Sequence, residues 1–268
     1  AYREAVKYAE ERAQFGKIIV KFPAVYEMIT NMKIKLDAIR SLLYETTRFV
    51  DLTKAYEEVM KERKLEKEER MEMKAYLRLS NVFTPLIKMI SSEACNHMAY
   101  DSLQIHGGTG FMKDFPIERI YRDARITSIY EGTTQLQTIA AIKGVTTGVY
   151  LDQIKAYDSE VNEENRELQK QLHEMTADYE AIFQLVDAVD VPDYLDFHAR
   201  RLVEIAGNII MGYLLLLDSQ RSEKFKRSAK LFIDVARSEN RERIDYIERF
   251  DVEHLELYKL AEHDVVQS

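Results

Sequence analysis

Apolar residues recur with helical spacing over most of this 268-residue chain. After Pro23, which suits a first helical turn, they fall at Val25, Ile29, Met32, Leu36, Ile39, Leu43 and Val50, at steps of 4, 3, 4, 3, 4 and 7. Those steps keep one face of a long helix buried. A second stripe runs Leu79, Phe83, Leu86, Ile90, Ala94, with Pro85 inside it as a potential kink. A third runs Leu168, Leu172, Met175, Tyr179, Ile182, Val186, and a fourth Leu202, Ile205, Ile209, Gly212, Leu216. Tyr2 to Ala13 also reads as helix, without a Ser, Thr, Asp or Asn cap ahead of it. Alternating, strand-like stretches are scarce. The pattern predicts an all-α protein.

Composition agrees: 9 glycines and 4 prolines are few for this length, which favours long helices with few turns. Between the first two stripes, Glu57 to Lys74 holds seven acids and six bases, with pairs such as Glu57–Lys61 and Glu66–Arg70 spaced to support a solvated helical extension or hairpin. Six of the nine glycines cluster between Gly107 and Gly148, where the backbone must turn tightly or approach a ligand. Beyond Gly148 the chain returns to long polar-faced helices broken at Val191-Pro192, so a soft boundary falls near residue 150 and divides it into 1–150 and 151–268.

A net charge of −8 repels nucleic acid as a whole. The longest strongly apolar run, Ile209 to Leu217, is too short to span a bilayer and fits the fourth stripe as core; docking on a membrane surface is the less favoured reading of 151–268. The single cysteine, Cys95, excludes an internal disulfide, suggests cytoplasm or another reducing soluble compartment, and sits in an apolar helical stretch where it reads as core. The histidines His97, His106, His173, His198, His254 and His263 form no metal-ligand spacing, so no metal is expected. With Ala1 in first place and no signal peptide, the sequence reads as a piece of something longer.

Two glycine sites remain as candidate chemistry. Gly107-Gly108-Thr109-Gly110 follows a helical pattern, lacks the third glycine of GxGxxG and has no GK[ST] ending, so by itself it reads as a tight turn at a helix C-terminus. At Ile129-Tyr130-Glu131-Gly132-Thr133-Thr134-Gln135 a carboxylate stands before a helix that Thr133 or Thr134 can cap. Glu131 is either a helix-start acid stabilised by the dipole or a general base beside a glycine that admits substrate closely.

The segments Tyr8-Ala9-Glu10-Glu11-Arg12-Ala13-Gln14-Phe15-Gly16, Gln104-Ile105-His106-Gly107-Gly108-Thr109-Gly110-Phe111, Arg122-Asp123-Ala124 and Ile129 to Thr133 occur in this order. Together they resemble the C-terminal helical domain of the acyl-CoA dehydrogenases over residues 1–150. The resemblance implies a four-helix up-down bundle, followed by a second helical bundle over 151–268 like the extra region of the longer members. It further implies an FAD-dependent enzyme that oxidises acyl-CoA to trans-2-enoyl-CoA, as in fatty-acid β-oxidation. Electrons pass to an electron-transfer flavoprotein, and the enzyme is a homo-oligomer, dimer or tetramer.

By motif, Glu131 matches the base that removes the α-proton, Gly132 leaves room beside the thioester, and Thr133 and Gln135 match FAD contacts. Arg12, Gln14 and Phe15 match the segment that reaches a neighbouring subunit's FAD, and Gln104 and Gly108 the turn that receives its adenosine end. Arg122 and Asp123 are expected to hold the loop before Glu131. The family's N-terminal and β domains are missing from this sequence, so the chain alone is expected to be inactive. Two alternatives stand: a non-catalytic oligomerisation module, or an acyl-CoA oxidase.

Overall fold

The computed structural model describes residues 1–259; His263 lies outside them. Helix α1 (Tyr2–Glu11) leads into two short antiparallel strands, β1 (Ala13–Gln14) and β2 (Lys17–Ile18). The helix predicted over Tyr2–Ala13 therefore stops at Glu11, because Arg12 turns extended at φ −78°, ψ 125° and starts a hairpin. Two-residue strands are too short to leave an alternating pattern in sequence.

Helices α2 (Pro23–Glu62) and α3 (Lys67–His106) are each 40 residues long and pack along one another. Their connection is short enough to make them antiparallel neighbours. Phe49 seats its ring edge-on to Phe83, 5.1 Å between centroids, and lies 6.4 Å from Tyr76. The charged Glu57–Lys74 stretch is the tip of this hairpin. There Arg63 grips Glu69 through two hydrogen bonds of 2.7 and 2.6 Å. Together with the backbone N–H of Glu66, that grip holds the Glu69 carboxyl down at about 2. α3 continues through Pro85 without a break.

After α4 (Ile117–Ala124), α5 (Thr134–Thr146) closes the first bundle, and α6 (Val149–Asp158), α7 (Arg166–Asp187), α8 (Tyr194–Arg221), α9 (Lys226–Glu248) and α10 (Leu255–Tyr258) follow. All four stripes read from sequence are contained in α2, α3, α7 and α8. Residues on both sides of position 150 share one hydrophobic core. At the seam, Gly148 takes φ +73° between α5 and α6. Just beyond it, the buried Tyr150 packs edge-on to Phe83 and donates its hydroxyl to the Val82 carbonyl, 2.8 Å away.

The apolar run Ile209–Leu217 belongs to a much longer apolar helix than its nine residues suggest. Within the 28-residue α8, an 18-residue window has mean hydropathy 1.5 and is 89% buried inside the protein. By length and composition α8 could cross a membrane, but here α2, α3, α5, α6, α7 and α9 surround it. Cys95 is exposed, contrary to its expected place in the core. Its neighbour Ala94 is the buried one, and one residue further along a helix rotates a side chain by roughly 100°.

Candidate functional site

Glu131 lies in the connection between α4 and α5, just before the helix start. Its backbone is left-handed at φ +51°, and Gly132 follows at φ +92°. A glutamate pays steric energy for that conformation that a glycine would not, so the surroundings must hold it. Gln137, one turn into α5, donates Nε2–H to the Glu131 carbonyl at 3.0 Å. The same amide occupies the space where a Cβ on residue 132 would sit, 2.8 Å away. Position 132 therefore calls for glycine through its φ, and a Cβ there would push the Gln137 amide off the Glu131 carbonyl.

The loop is pinned from beneath by α3. Lys88 donates to the Thr127 carbonyl at 2.7 Å and lies 3.8 Å from the centre of the Tyr130 ring, directly before Glu131. Thr133 is the N-cap of α5, its Oγ1 accepting from Leu136 N–H at 3.4 Å. The buried Thr134 donates its hydroxyl to Glu93 Oε1 at 2.6 Å, and Arg200 of α8 reaches the other oxygen of Glu93 at 3.4 Å. A hydrogen bond to a charged carboxylate is among the stronger kinds. The start of α5 is thus tied through α3 to the C-terminal half of the chain. Arg122 and Asp123, expected to hold this loop, are exposed on α4; Lys88, Glu93, Thr134 and Gln137 hold it instead. Glu131 and Gln135 face outward, beside exposed Tyr130, Leu136 and Ile139.

A second group gathers at the C-terminal end of α3. The β1–β2 turn consists of Phe15 at φ +51° and Gly16 at φ +77°, the two-residue, doubly left-handed turn that suits a tight hairpin. Phe15 projects with 86% of its surface exposed, and Arg12 and Gln14 are exposed beside it. α3 ends at Gly107, φ +60°, and residues 107–111 form a 3₁₀ turn, so the glycine cluster is a helix C-terminal turn as its sequence suggests. Gln104 and Gly108 are exposed there. Tyr8 locks the two pieces together: its ring stacks on His106 with centroids 4.3 Å apart, and its hydroxyl meets Thr109 Oγ1 at 2.9 Å.

The nine sequence-predicted residues thus fall into two patches. Glu131, Gly132, Thr133 and Gln135 form one; Arg12, Gln14, Phe15, Gln104 and Gly108 form the other. Glu93, which supports the first, and Gln104 of the second are eleven residues apart on α3, about 16 Å along a helix. Among the described residues, no three His, Cys, Asp or Glu side chains assemble as a metal site.

Comparison with known proteins places this geometry in a family. Residues 1–146 match the family described as acyl-CoA dehydrogenase, C-terminal domain, and residues 146–255 match acyl-CoA dehydrogenase C terminal. The chain belongs to the acyl-CoA dehydrogenase family, a family of flavoprotein oxidoreductases, and represents its C-terminal part.

Among curated relatives, the caffeyl-CoA reductase–Etf complex subunit CarC of Acetobacterium woodii is 38% identical over 137 residues, which is 51% of this chain and 30% of that protein. The mitochondrial short-chain specific acyl-CoA dehydrogenase of Bos taurus is 33% identical over 135 residues, 50% of this chain and 27% of that one. The chain spans about 30% of the length of the curated relatives it matches. An FAD-complexed acyl-CoA dehydrogenase from Bacillus anthracis shares the fold over 98% of this chain and 47% of its own, at TM-score 0.67 and 24% identity.

Proposed function

We propose that this chain supplies the catalytic base and two sets of FAD contacts to a flavoenzyme acting on the Cα–Cβ bond of an acyl-CoA thioester. The observation that carries the reading is Glu131, an outward-facing carboxylate held at φ +51° before Gly132 by the Gln137 amide. A strained, over-determined backbone at a candidate base is what pre-organisation for chemistry looks like. Glu131 takes the α-proton of the thioester. Gly132 keeps the space beside the carbonyl clear, and the backbone N–H groups at this turn are suited to stabilise the enolate oxygen as charge develops there.

The residues of the second patch fit a flavin dinucleotide: an exposed guanidinium at Arg12 for the pyrophosphate, an exposed ring at Phe15, and glycine at 108, where a Cβ would meet nothing within 4 Å. FAD, when bound, supplies the acceptor for the hydride equivalent leaving the β-carbon. The separation of the patches along α3 supports Thr133 and Gln135 serving one FAD while Arg12, Gln14, Phe15, Gln104 and Gly108 serve that of a neighbouring copy. A homo-oligomer follows from that division. The A. woodii relative belongs to an Etf complex, which supports an electron-transfer flavoprotein as redox partner. Relatives named as reductases and as dehydrogenases each match about half of this chain, which supports a constellation able to serve either direction of the reaction; fatty-acid β-oxidation is the oxidative case.

The test uses the full-length protein, wild type beside Glu131→Gln, titrated anaerobically with acyl-CoAs of graded length while flavin absorbance is followed. Bleaching in wild type and its loss in a flavin-loaded Glu131→Gln protein supports the assignment. Equal bleaching in both places the base elsewhere. A full-length protein that holds no flavin replaces this reading with a non-catalytic assembly role. Residues 1–268 alone are expected to give no turnover.

A further inference from the structure

Between the two halves of the chain, α2, α3, α8 and α9 line a half-open cavity of about 370 Å³. Its deep wall is apolar and rich in unbranched thioethers, with Met32, Met89, Ile90, Met211 and Phe232 all buried. Methionine accommodates flexible, irregular apolar shapes better than branched side chains do. Its size falls in the range of small-molecule sites.

The mouth is polar and electrically closed. Along it runs a chain of ion pairs in which Glu93 meets Arg200 at 3.4 Å, Arg200 meets Glu204 at 2.9 Å, and Glu204 meets Arg243 at 2.8 Å. Arg243 then meets Glu239 at 3.9 Å, and Glu239 meets Lys35 at 3.4 Å. Three acids alternate with three bases. Burial alone would push the Glu204 carboxyl up, but Arg243 and Arg200 outweigh it and hold the carboxyl below its usual range. A charged ligand entering here would have to break a pair already satisfied, at the cost of leaving its partner uncompensated.

Exposed Asn31 and His97 stand at the rim, and one buried polar group at the cavity is not used up. Asn208 lines it, is only 3% exposed, and donates Nδ2–H to Glu239 at 2.9 Å and to Asn240 Oδ1 at 3.0 Å. The carboxylate partner only accepts, which fixes the amide's orientation. Asn208 Oδ1 accepts no hydrogen bond among the described residues and is not sealed from solvent, so it stays open to a donor entering the cavity.

We propose that this cavity binds a neutral, single-chain aliphatic amphiphile whose hydroxyl donates to Asn208 Oδ1 while its chain lies against the methionines. At about 30 Å³ per water-sized atom, the volume takes roughly a dozen non-hydrogen atoms, the size of a ten-carbon primary alcohol. This inference does not depend on the role proposed for Glu131.

The experiment maps a diazirine-bearing decanol on the full-length protein by photo-crosslinking and peptide mass spectrometry, with 1-decanol as competitor. Labelling of peptides that contain Met89, Asn208 or Met211, suppressed by decanol, is the expected result. Labelling elsewhere, or none, overturns the proposal. Decanoate and decylamine are expected to compete at least tenfold less well; equal competition overturns the neutral-head assignment. Ala94→Phe, which fills the cavity from α3, is expected to abolish the label while the protein keeps its helical circular dichroism. Undiminished labelling in that variant places the ligand elsewhere, and if the variant does not fold, the wild-type map and competition decide.

Discussion

Phe15-Gly16 and Glu131-Gly132 are the same device built twice. In each, a large non-glycine residue at φ +51° precedes a left-handed glycine, at φ +77° and +92° respectively. Their support differs. The hairpin turn is held by β1–β2 pairing and by the Tyr8–His106 stack nearby, and leaves Phe15 projecting. The Glu131 turn is gripped by Gln137 and flanked by contacts to Lys88 and Glu93. On the role proposed above, the contrast separates a chemical group that must be held still from an arm that awaits a surface outside this chain. Backbone strain alone does not tell the two apart; the density of polar anchors around it does.

That contrast is testable, beginning with the largest effect. In the flavin-loaded full-length protein, Glu131→Gln is expected to slow flavin reduction by acyl-CoA by about 10²–10⁴-fold, the usual weight of a general base. Arg12→Ala should instead weaken flavin retention on dilution and leave the reduction rate of the flavin-saturated enzyme within a few-fold. If both variants show the same phenotype, the two patches are one site.

Next, Thr134→Val removes the bond to Glu93 and leaves that carboxylate with less support. Denaturant unfolding should show a loss of about 1.5–3 kcal/mol, accompanied by a slower reduction rate. An unchanged rate would mean that the anchor stabilises α5 without positioning Glu131.

The glycines come third. Gly132→Ala meets both an unfavourable φ and the Gln137 amide at 2.8 Å, whereas Gly16→Ala meets only φ, since nothing lies within 4 Å. Thermal melts should show a loss of about 1–3 kcal/mol at 132 and about 1 kcal/mol at 16. Equal losses would mean that Gln137 swings aside freely.

The smallest effect is at Phe15. Asn tolerates the left-handed region better than Phe, so Phe15→Asn should leave stability unchanged or raise it by under about 1 kcal/mol, while flavin retention falls. Retained flavin would remove Phe15 from the cofactor contacts.

Much of this was legible in the residues because it is local. The 3- and 4-residue steps from Val25 to Val50 define α2, Thr133 caps α5, and the glycine cluster ends α3. The hairpin at Ala13–Ile18 was not legible, since two-residue strands have no period to detect. Cys95 was misplaced because stripe membership is decided by single-residue rotation, which the neighbouring Ala94 obscured. The supports of Glu131 were also invisible: Lys88 and Glu93 lie on α3 and Arg200 on α8, 39 to 107 residues away from the groups they meet. Side-chain contacts at such separations leave no spacing signal. Only Gln137, one turn into α5, had a readable position, as a polar residue six beyond Glu131 on a helix whose first turn faces the loop.

The burial of α8 also bears on the order of synthesis. An apolar helix of this length would be hazardous if it emerged before its neighbours. Five of the six helices that cover it, α2, α3, α5, α6 and α7, precede it in the chain, and only α9 follows. Chains fold from the N-terminal side as they are made, so a nascent α8 finds most of its sheath already present. The chain makes its least water-compatible segment late, when the surfaces that shield it are waiting.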